Sequence, residues 1–444
     1  MAKLPSGPPM LTATLGFLRD PFGSWQKFAK QYGDPFTLRL PTLDPWVVTG
    51  NPKGIRQIFT APSETFISSV THAIPLMGSF SIHMLNGDRH KRERALMMPP
   101  FHGERMRAYG QLIQEIALQQ FAGLEPDQSF AIQDRTQAIS LKVIIKAIFG
   151  VDRSERVQEF EQVAPAYFQA FTPLLQFVPP LRRDLFGLSP WRHFQQTSTR
   201  FHQLLQAQID ELRGSGELGE DILSLLLSAR DEAGNGMSDQ ELQDELKTLL
   251  IAGNVSTSTA MAWAFYWLHR EPETLSRLQA ELTALNTPLP HPQELLSLPY
   301  LTAVCEEALR LYPVTPGVGR KLRRPLQLLE YTLPSGVVVH PAIPLAHLNP
   351  ELYPDPLRFQ PERFLKSKPT PFEYLPFGGG MRRCIGAAFA TAEMKIVLGT
   401  ILSQHRFDLA ESDLVTPVPK GAVVGPNTGI KMRYLGSAVP LVAP

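Results

Sequence analysis

The sequence predicts a mainly α-helical chain of mixed α+β class, with a large helical lobe around one long central helix and a smaller β-rich lobe. Three observations predict it. From about residue 51 to residue 310 apolar residues recur mostly at helical spacing. Ser238 followed by Glu241 makes a capping-box pattern. The apolar rhythm behind it runs through Leu246, Leu249 and Leu250 to Trp263 and Trp267, about 30 residues, which is long for a globular helix. Short alternating stretches rich in β-branched residues lie toward both ends of the chain.

In order, the first 30 residues are expected to be partly extended, and 36–50 (FTLRLPTLDPWVVTG) reads as two short strands around a turn. Helices are expected over Met106–Phe121, Gln133–Phe149, Trp191–Leu212, the long stretch after Ser238, and Leu298–Leu311, which the PVTP run stops. Short strands return over 318–348. A Pro-rich, poorly periodic stretch then runs from Asn349 to Arg383, followed by a helix over Ile385–Gln404 and β-hairpins over 405–436. A loop of that length inside a compact domain is usually functional.

The composition excludes several classes. With 43 Lys+Arg against 42 Asp+Glu in 444 residues, no broad electrostatic field invites nucleic acid. Two cysteines and no CxxC pair exclude a disulfide scaffold and a zinc ribbon. The 43% hydrophobic content fills a sizeable core. Met10–Leu18, interrupted by Thr12 and Thr14, is too short and polar for a membrane span, so a soluble, cytoplasmic protein is expected. No repeat or linker divides the chain, and a single domain over 1–444 is expected, as a monomer.

The chemistry centres on Phe377-Gly378-Gly-Gly-Met-Arg382-Arg-Cys384-Ile-Gly386. The glycines let the backbone adopt positive φ and approach something flat or bulky. Cys384 precedes a helix N-terminus and neighbours two arginines, which favours thiolate over thiol. That suits a nucleophile or a metal ligand; a buried structural cysteine or an anion-binding loop fits the local segment too.

This segment resembles the haem-binding signature of the cytochrome P450 family, Phe-x-x-Gly-x-Arg-x-Cys-x-Gly, at every fixed position. The resemblance implies the cytochrome P450 fold and haem b (iron protoporphyrin IX). Cys384 would be the axial thiolate, which pushes electron density onto iron and favours O–O cleavage. Phe377 and Gly378 would line the haem, and Arg382 would pair with a propionate. Other segments follow in the family's order. Glu307-Ala-Leu-Arg310 places acid and base side by side on a helix. With Arg363 of Pro361-Glu-Arg-Phe364, the resemblance makes them a buried structural triad. It assigns Arg320 to a propionate, and His90 and Arg94, on one helix face, to the other. The resemblance covers essentially 30–436, with no residues left for a fused reductase.

One segment departs from the family. The long helix reads Ala252-Gly253-Asn254-Val255-Ser256-Thr257 where the family usually has Ala/Gly-Gly-x-Asp/Glu-Thr-Thr/Ser. Gly253 would open a groove for dioxygen. Acid and alcohol normally relay protons during dioxygen activation, and Val255 relays none. Ser256, with Thr257 behind it, keeps a hydroxyl; for Thr257 a bond back to its own helix is the simpler role. Glu245, ten residues upstream and about 15 Å of rise away, is too far to substitute for the acid.

The resemblance implies a bacterial monooxygenase that hydroxylates or epoxidises an apolar substrate, a fatty acid or terpenoid. It would use O2 and electrons from a ferredoxin or flavodoxin with an NAD(P)H-dependent reductase. A peroxide-driven peroxygenase, a rearranging or dehydrating enzyme, and a non-enzymatic haem sensor stay open as alternatives. The pocket is expected from Ile74, Leu76, Met77, Phe80 and Ile82, from Phe168, Phe171 and Phe177, and from Ala252, Val255, Pro316 and Val318. Arg182 and Arg183 are candidate anchors for a substrate carboxylate. Cys305 reads as core.

Overall fold

The computed structural model describes residues 4–101, 105–150, 154–184, 189–216, 218–421 and 423–438. It is 57% helical with small sheets, as the sequence predicts. The chain gathers into two compact units. The first holds the residues up to Phe66, Met106–Ile139 and Ser256 onward; the second holds Ile67–Arg105 and Ser140–Val255.

The first unit carries the sheets. Strands Phe36–Leu38, Trp46–Thr49, Val338–Pro341, Arg320–Leu322 and Phe66–Ile67 lie side by side in that order. Trp46–Thr49 runs antiparallel to Phe36–Leu38 and parallel to Val338–Pro341, with Val48 opposite His340. Val47 packs with Ile55, Ile58, Phe59, Leu322 and Val339, whereas Val48 packs with Trp25, Phe28, Phe36 and Leu38. Burial on both faces explains why these strands read as continuous apolar runs.

The expected helices appear as Arg105–Phe121, Ile132–Phe149, Pro190–Ser215, Pro299–Leu311 and Ala387–Gln404. The long helix is Asp239–Arg270, 32 residues. Its capping box is made: Ser238 N–H donates to Glu241 Oε2 at 2.8 Å, and Glu241 N–H to Ser238 Oγ at 3.3 Å.

Three expectations need correction. The N-terminal 30 residues are helical over Met10–Arg19 and Pro21–Tyr32; the Asp20 side chain caps the second by accepting from Gly23 N–H at 2.8 Å. Of the segment 405–436, only Pro417–Lys420 and Val423–Pro426 form a local hairpin. His405–Leu409 and Ser129–Ala131 instead flank Lys431–Ser437, a long-range pairing no local turn announces. The Pro-rich stretch 349–383 contains a short helix, Glu362–Lys366.

Candidate functional site

The cysteine loop is shaped by close approach. Gly378 and Gly380 have φ of +65° and +62°, where a side chain is strained. A Cβ on Gly379 would lie 2.3 Å from the Phe59 ring, so the backbone there rests directly on an aromatic face. Cys384 N–H donates to the Phe377 carbonyl at 3.0 Å, closing the loop just before Gly386 caps the helix Ala387–Gln404. Cys384 itself is exposed. Cys305 is fully buried, and burial pushes its thiol up to about 12.

Arg320 leaves the sheet toward this loop. Its guanidinium stacks over Phe59 and Phe66, 4.9 and 5.6 Å from their centroids, and donates to the Gly379 carbonyl. Only 6% exposed, it keeps Nε without a hydrogen-bond partner. Burial, and secondarily the charge of Arg382, push it down to about 10. Burial also holds half-buried Arg382 below its usual value. Two desolvated cations that disfavour each other make a site for an anion. With a flat, side-chain-free backbone and an exposed thiol beside a helix N-terminus, these residues fit a planar, anionic metal macrocycle.

The three residues Glu307, Arg310 and Arg363 meet. Arg310 Nε and Nη2 donate to Glu307 Oε2 and Oε1 at 2.6 and 2.8 Å, and Arg363 Nε donates to Oε1 at 3.1 Å. Arg310 also donates to the carbonyls of His347 and Pro356, both at 2.8 Å, so the pair ties the Pro-rich stretch to the helix Pro299–Leu311. Neither Glu307 nor Arg310 is exposed at all.

His347 was missed by the sequence reading. Fully buried, it accepts Leu375 N–H on Nε2 at 2.8 Å and faces the Arg310 carbonyl through Nδ1 at 3.1 Å. Those partners assign the proton to Nδ1 of a neutral ring, matching a value pushed down to about 3 by burial and by Arg310. His347 thus fastens the start of the cysteine loop to the triad. Its only sequence signal, a lone histidine in an apolar run, is what core histidines also give.

In the second unit, His90 is buried and Arg94 half-buried on the helix Gly87–Met97. On the long helix Ala252 is exposed and Val255 and Ser256 are half-buried, while Asn254 and Thr257 are buried. Ala252, Val255 and Ser256 therefore make its open face. Gly253 is half-buried as well, and a Cβ there would lie 2.8 Å from Ile144, so its smallness also serves the approach to helix Ile132–Phe149.

The expected pocket divides. Ile74 is exposed and Leu76, Met77 and Phe80 half-buried; Pro316 and Val318 are half-buried in the first unit. Ile82 is buried. Phe171 is core, packed 4.9 Å from Phe194, and Phe168 packs on Phe201 at 6.0 Å. The side chain of Phe177 lies outside the described residues. Arg182 is no carboxylate anchor, because it donates to the carbonyls of His72, Leu175 and Gln176 at 2.8 to 3.0 Å; Arg183 is exposed. Asp244 and Thr248, unremarked in the sequence, hold the 68–84 loop: Asp244 Oδ2 accepts from Phe80 N–H at 2.9 Å, and Thr248 Oγ1 bonds Ser81 Oγ at 2.8 Å.

Residues 5–433 match the family model of cytochrome P450. Mycobacterium tuberculosis proteins named cytochrome P450 135B1 and cytochrome P450 138 are 33% and 34% identical over 91% of this chain, and 85% and 89% of theirs. The solved structure of retinoic acid-bound cyanobacterial CYP120A1 covers 98% of this chain and 100% of its own, with a TM-score of 0.84 and 25% identity. Fold and relatives together define a haem-dependent oxidoreductase of bacterial type. The chain belongs to the cytochrome P450 family, and so is a haem monooxygenase that draws on O2 and a redox partner. No helix among the described residues is long and apolar enough to cross a membrane.

Proposed function

We propose that the chain is a single-domain, O2-dependent monooxygenase that inserts one oxygen atom into an apolar substrate, a fatty acid or terpenoid. The observation that carries the cofactor placement is the pair of desolvated arginines, Arg320 with its orphaned Nε and Arg382, beside the exposed Cys384. Cys384 would hold the iron of haem b, Arg320 and Arg382 would neutralise one propionate, and His90 and Arg94 the other. Bound there, the haem supplies dioxygen activation and oxygen transfer. The glycine backbone at 378–380 lets it lie close, and Glu307, Arg310, Arg363 and His347 keep the thiolate loop in register.

Ser256 holds a water on the open face of the long helix and hands protons inward, a task Val255 has no group to share. Ile74, Leu76, Phe80, Ala252, Val255, Pro316 and Val318 supply apolar contact and keep bulk water away from the reacting centre. The similar structure of CYP120A1 holds retinoic acid, an isoprenoid acid, which favours the terpenoid side of the substrate class. Electrons come from a separate ferredoxin or flavodoxin with its NAD(P)H-dependent reductase.

The test is paired turnover on a fatty-acid and terpenoid panel, fed in one arm by a surrogate ferredoxin, reductase and NADPH, and in the other by hydrogen peroxide alone. Product mainly in the electron-fed arm is expected. Product mainly with peroxide makes the protein a peroxygenase, the reading that Val255 favours. Cys384→Ala should abolish the thiolate-type spectrum of the ferrous carbonyl complex; a spectrum that survives it would sink the ligand assignment.

A further inference from the structure

The second unit contains two carboxyl groups that no role above uses. Glu93, on the helix Gly87–Met97, is 1% exposed, and Glu245, on the long helix, is fully buried. Glu93 Oε2 accepts from Arg92 at 3.0 Å while Oε1 has no partner among the described residues; neither Glu245 oxygen has one there, and the Ile82 backbone amide lies nearby. Two buried carboxyl groups, only one of them hydrogen-bonded to a guanidinium among the described residues, are costly to hold as a pair of carboxylates.

Arg92 leads outward. It also donates to Asp231 Oδ2 at 2.6 Å and lies 3.6 Å from Glu241, whose carboxylate pairs with exposed Arg89 at 3.4 Å. Glu245 leads the other way, because Leu249, Ala252 and Ser256 follow it at four, seven and eleven residues, one face of the helix. From Glu245 to exposed Ala252 the rise is about 10 Å, a distance that about three hydrogen-bonded waters in line would cover.

We propose that Glu93 and Glu245 form a buried proton-holding couple that reloads the Ser256 water relay, supplying from a distance the protons that Val255 has no group to relay. The inference rests on the monooxygenase reading above. Glu245 gives up its carboxyl proton to the water chain and becomes a carboxylate. Glu93 returns a proton to it, and bulk water reprotonates Glu93 through the Arg92–Asp231 opening; no electron moves. The groups facing Glu93 are Glu241, Arg92 and Arg89, and those facing Glu245 are Glu93, Asp244 and Glu241. Burial first, then Glu241, pushes Glu93 up to about 7 against the pull of Arg92, and burial with the charge of Glu93 raises Glu245 well above its usual value, so both carboxyls favour the protonated form more than exposed ones do.

Infrared spectroscopy of the resting holoenzyme, titrated in H2O and D2O, reads the couple without turnover. Expected are one protonated-carboxyl band that persists above neutrality and vanishes in Glu245→Gln, and a second that titrates near neutrality and vanishes in Glu93→Gln. Absence of both bands from the wild type at neutral pH overturns the proposal with no variant needed, as does their survival in the variants. In electron-fed turnover, Glu245→Gln should lower product per electron by up to roughly a hundredfold, the low end of a general-acid effect, and increase the solvent isotope effect. Bands as expected with unchanged coupling would also overturn it, since the couple would then feed nothing. The ferrous carbonyl spectrum, which reports only the thiolate haem, separates failure of this inference from failure of the monooxygenase reading.

Discussion

Glu307 shows what a single buried charge is for. Its two oxygens take two arginines and the Gln360 amide, whose N–H donates at 2.8 Å, with no water available to replace any of them. Glu307→Gln removes the charge and keeps the shape, leaving Arg310 uncompensated in the core. A loss of about 3–5 kcal/mol is expected in chemical denaturation, together with poor haem retention. A loss below about 1 kcal/mol, the range of an exposed pair, would show that the triad does not lock the loop. At this scale the sequence was legible where motifs fixed both residue type and order, as for Glu307, Arg310 and Arg363, which the fold brings together. It did not show that Gly253 also serves a helix crossing, which only its neighbour Ile144 reveals. It misled at Arg182, whose donors are taken by backbone carbonyls that become neighbours only on folding.

The long helix works as a rail along which other parts are fixed. Its first turns hold the 68–84 loop through Asp244 and Thr248, its middle presents Ala252, Val255 and Ser256, and its last turns bring Trp263 and Trp267 onto Tyr312, stacked at 4.0 and 6.0 Å. Thr248→Val takes the hydroxyl from fully buried Ser81 and costs about 1–3 kcal/mol locally. Amide exchange over 78–84 should speed up by roughly tenfold or more with the helix unaffected, and exchange unchanged there would show that Asp244 alone holds the loop. The helix itself was readable from its capping box and apolar rhythm. The N-terminal helices were not, since their proline-rich flanks hide the starts that Asp20 and its neighbours make.

Over the whole molecule, buried titratable groups give stability a two-sided pH dependence. His340 and His347 are held neutral, pushed down by burial to about 4 and about 3. Their unfolded forms take up a proton near pH 6.5. Their contribution is therefore complete above that pH and is lost as pH falls toward the folded values. Glu93 has the opposite sign: with its folded value raised from 4.5 to about 7, its contribution is complete below the unfolded value and lost as pH rises to neutrality. Acidification from pH 6.5 to 4.5 thus sets the histidines against the carboxyl. Glu93→Gln removes the opposing gain, so its melting temperature should fall more steeply than the wild type's over that window. A parallel fall in the two proteins would mean that Glu93 titrates normally.

The sequence by itself determined the family, the mainly helical class and the place of the cysteine loop in the chain. Each of these is written in contiguous residues, where spacing along the chain fixes spacing in space. Only the tertiary structure decided which charges are desolvated and by what. The orphaned Arg320, the neutral His347 between Arg310 and Leu375, and the facing carboxyls of Glu93 and Glu245 all depend on partners far apart in the chain. Burial and long-range electrostatics are properties of the packed fold, so no local pattern announces them.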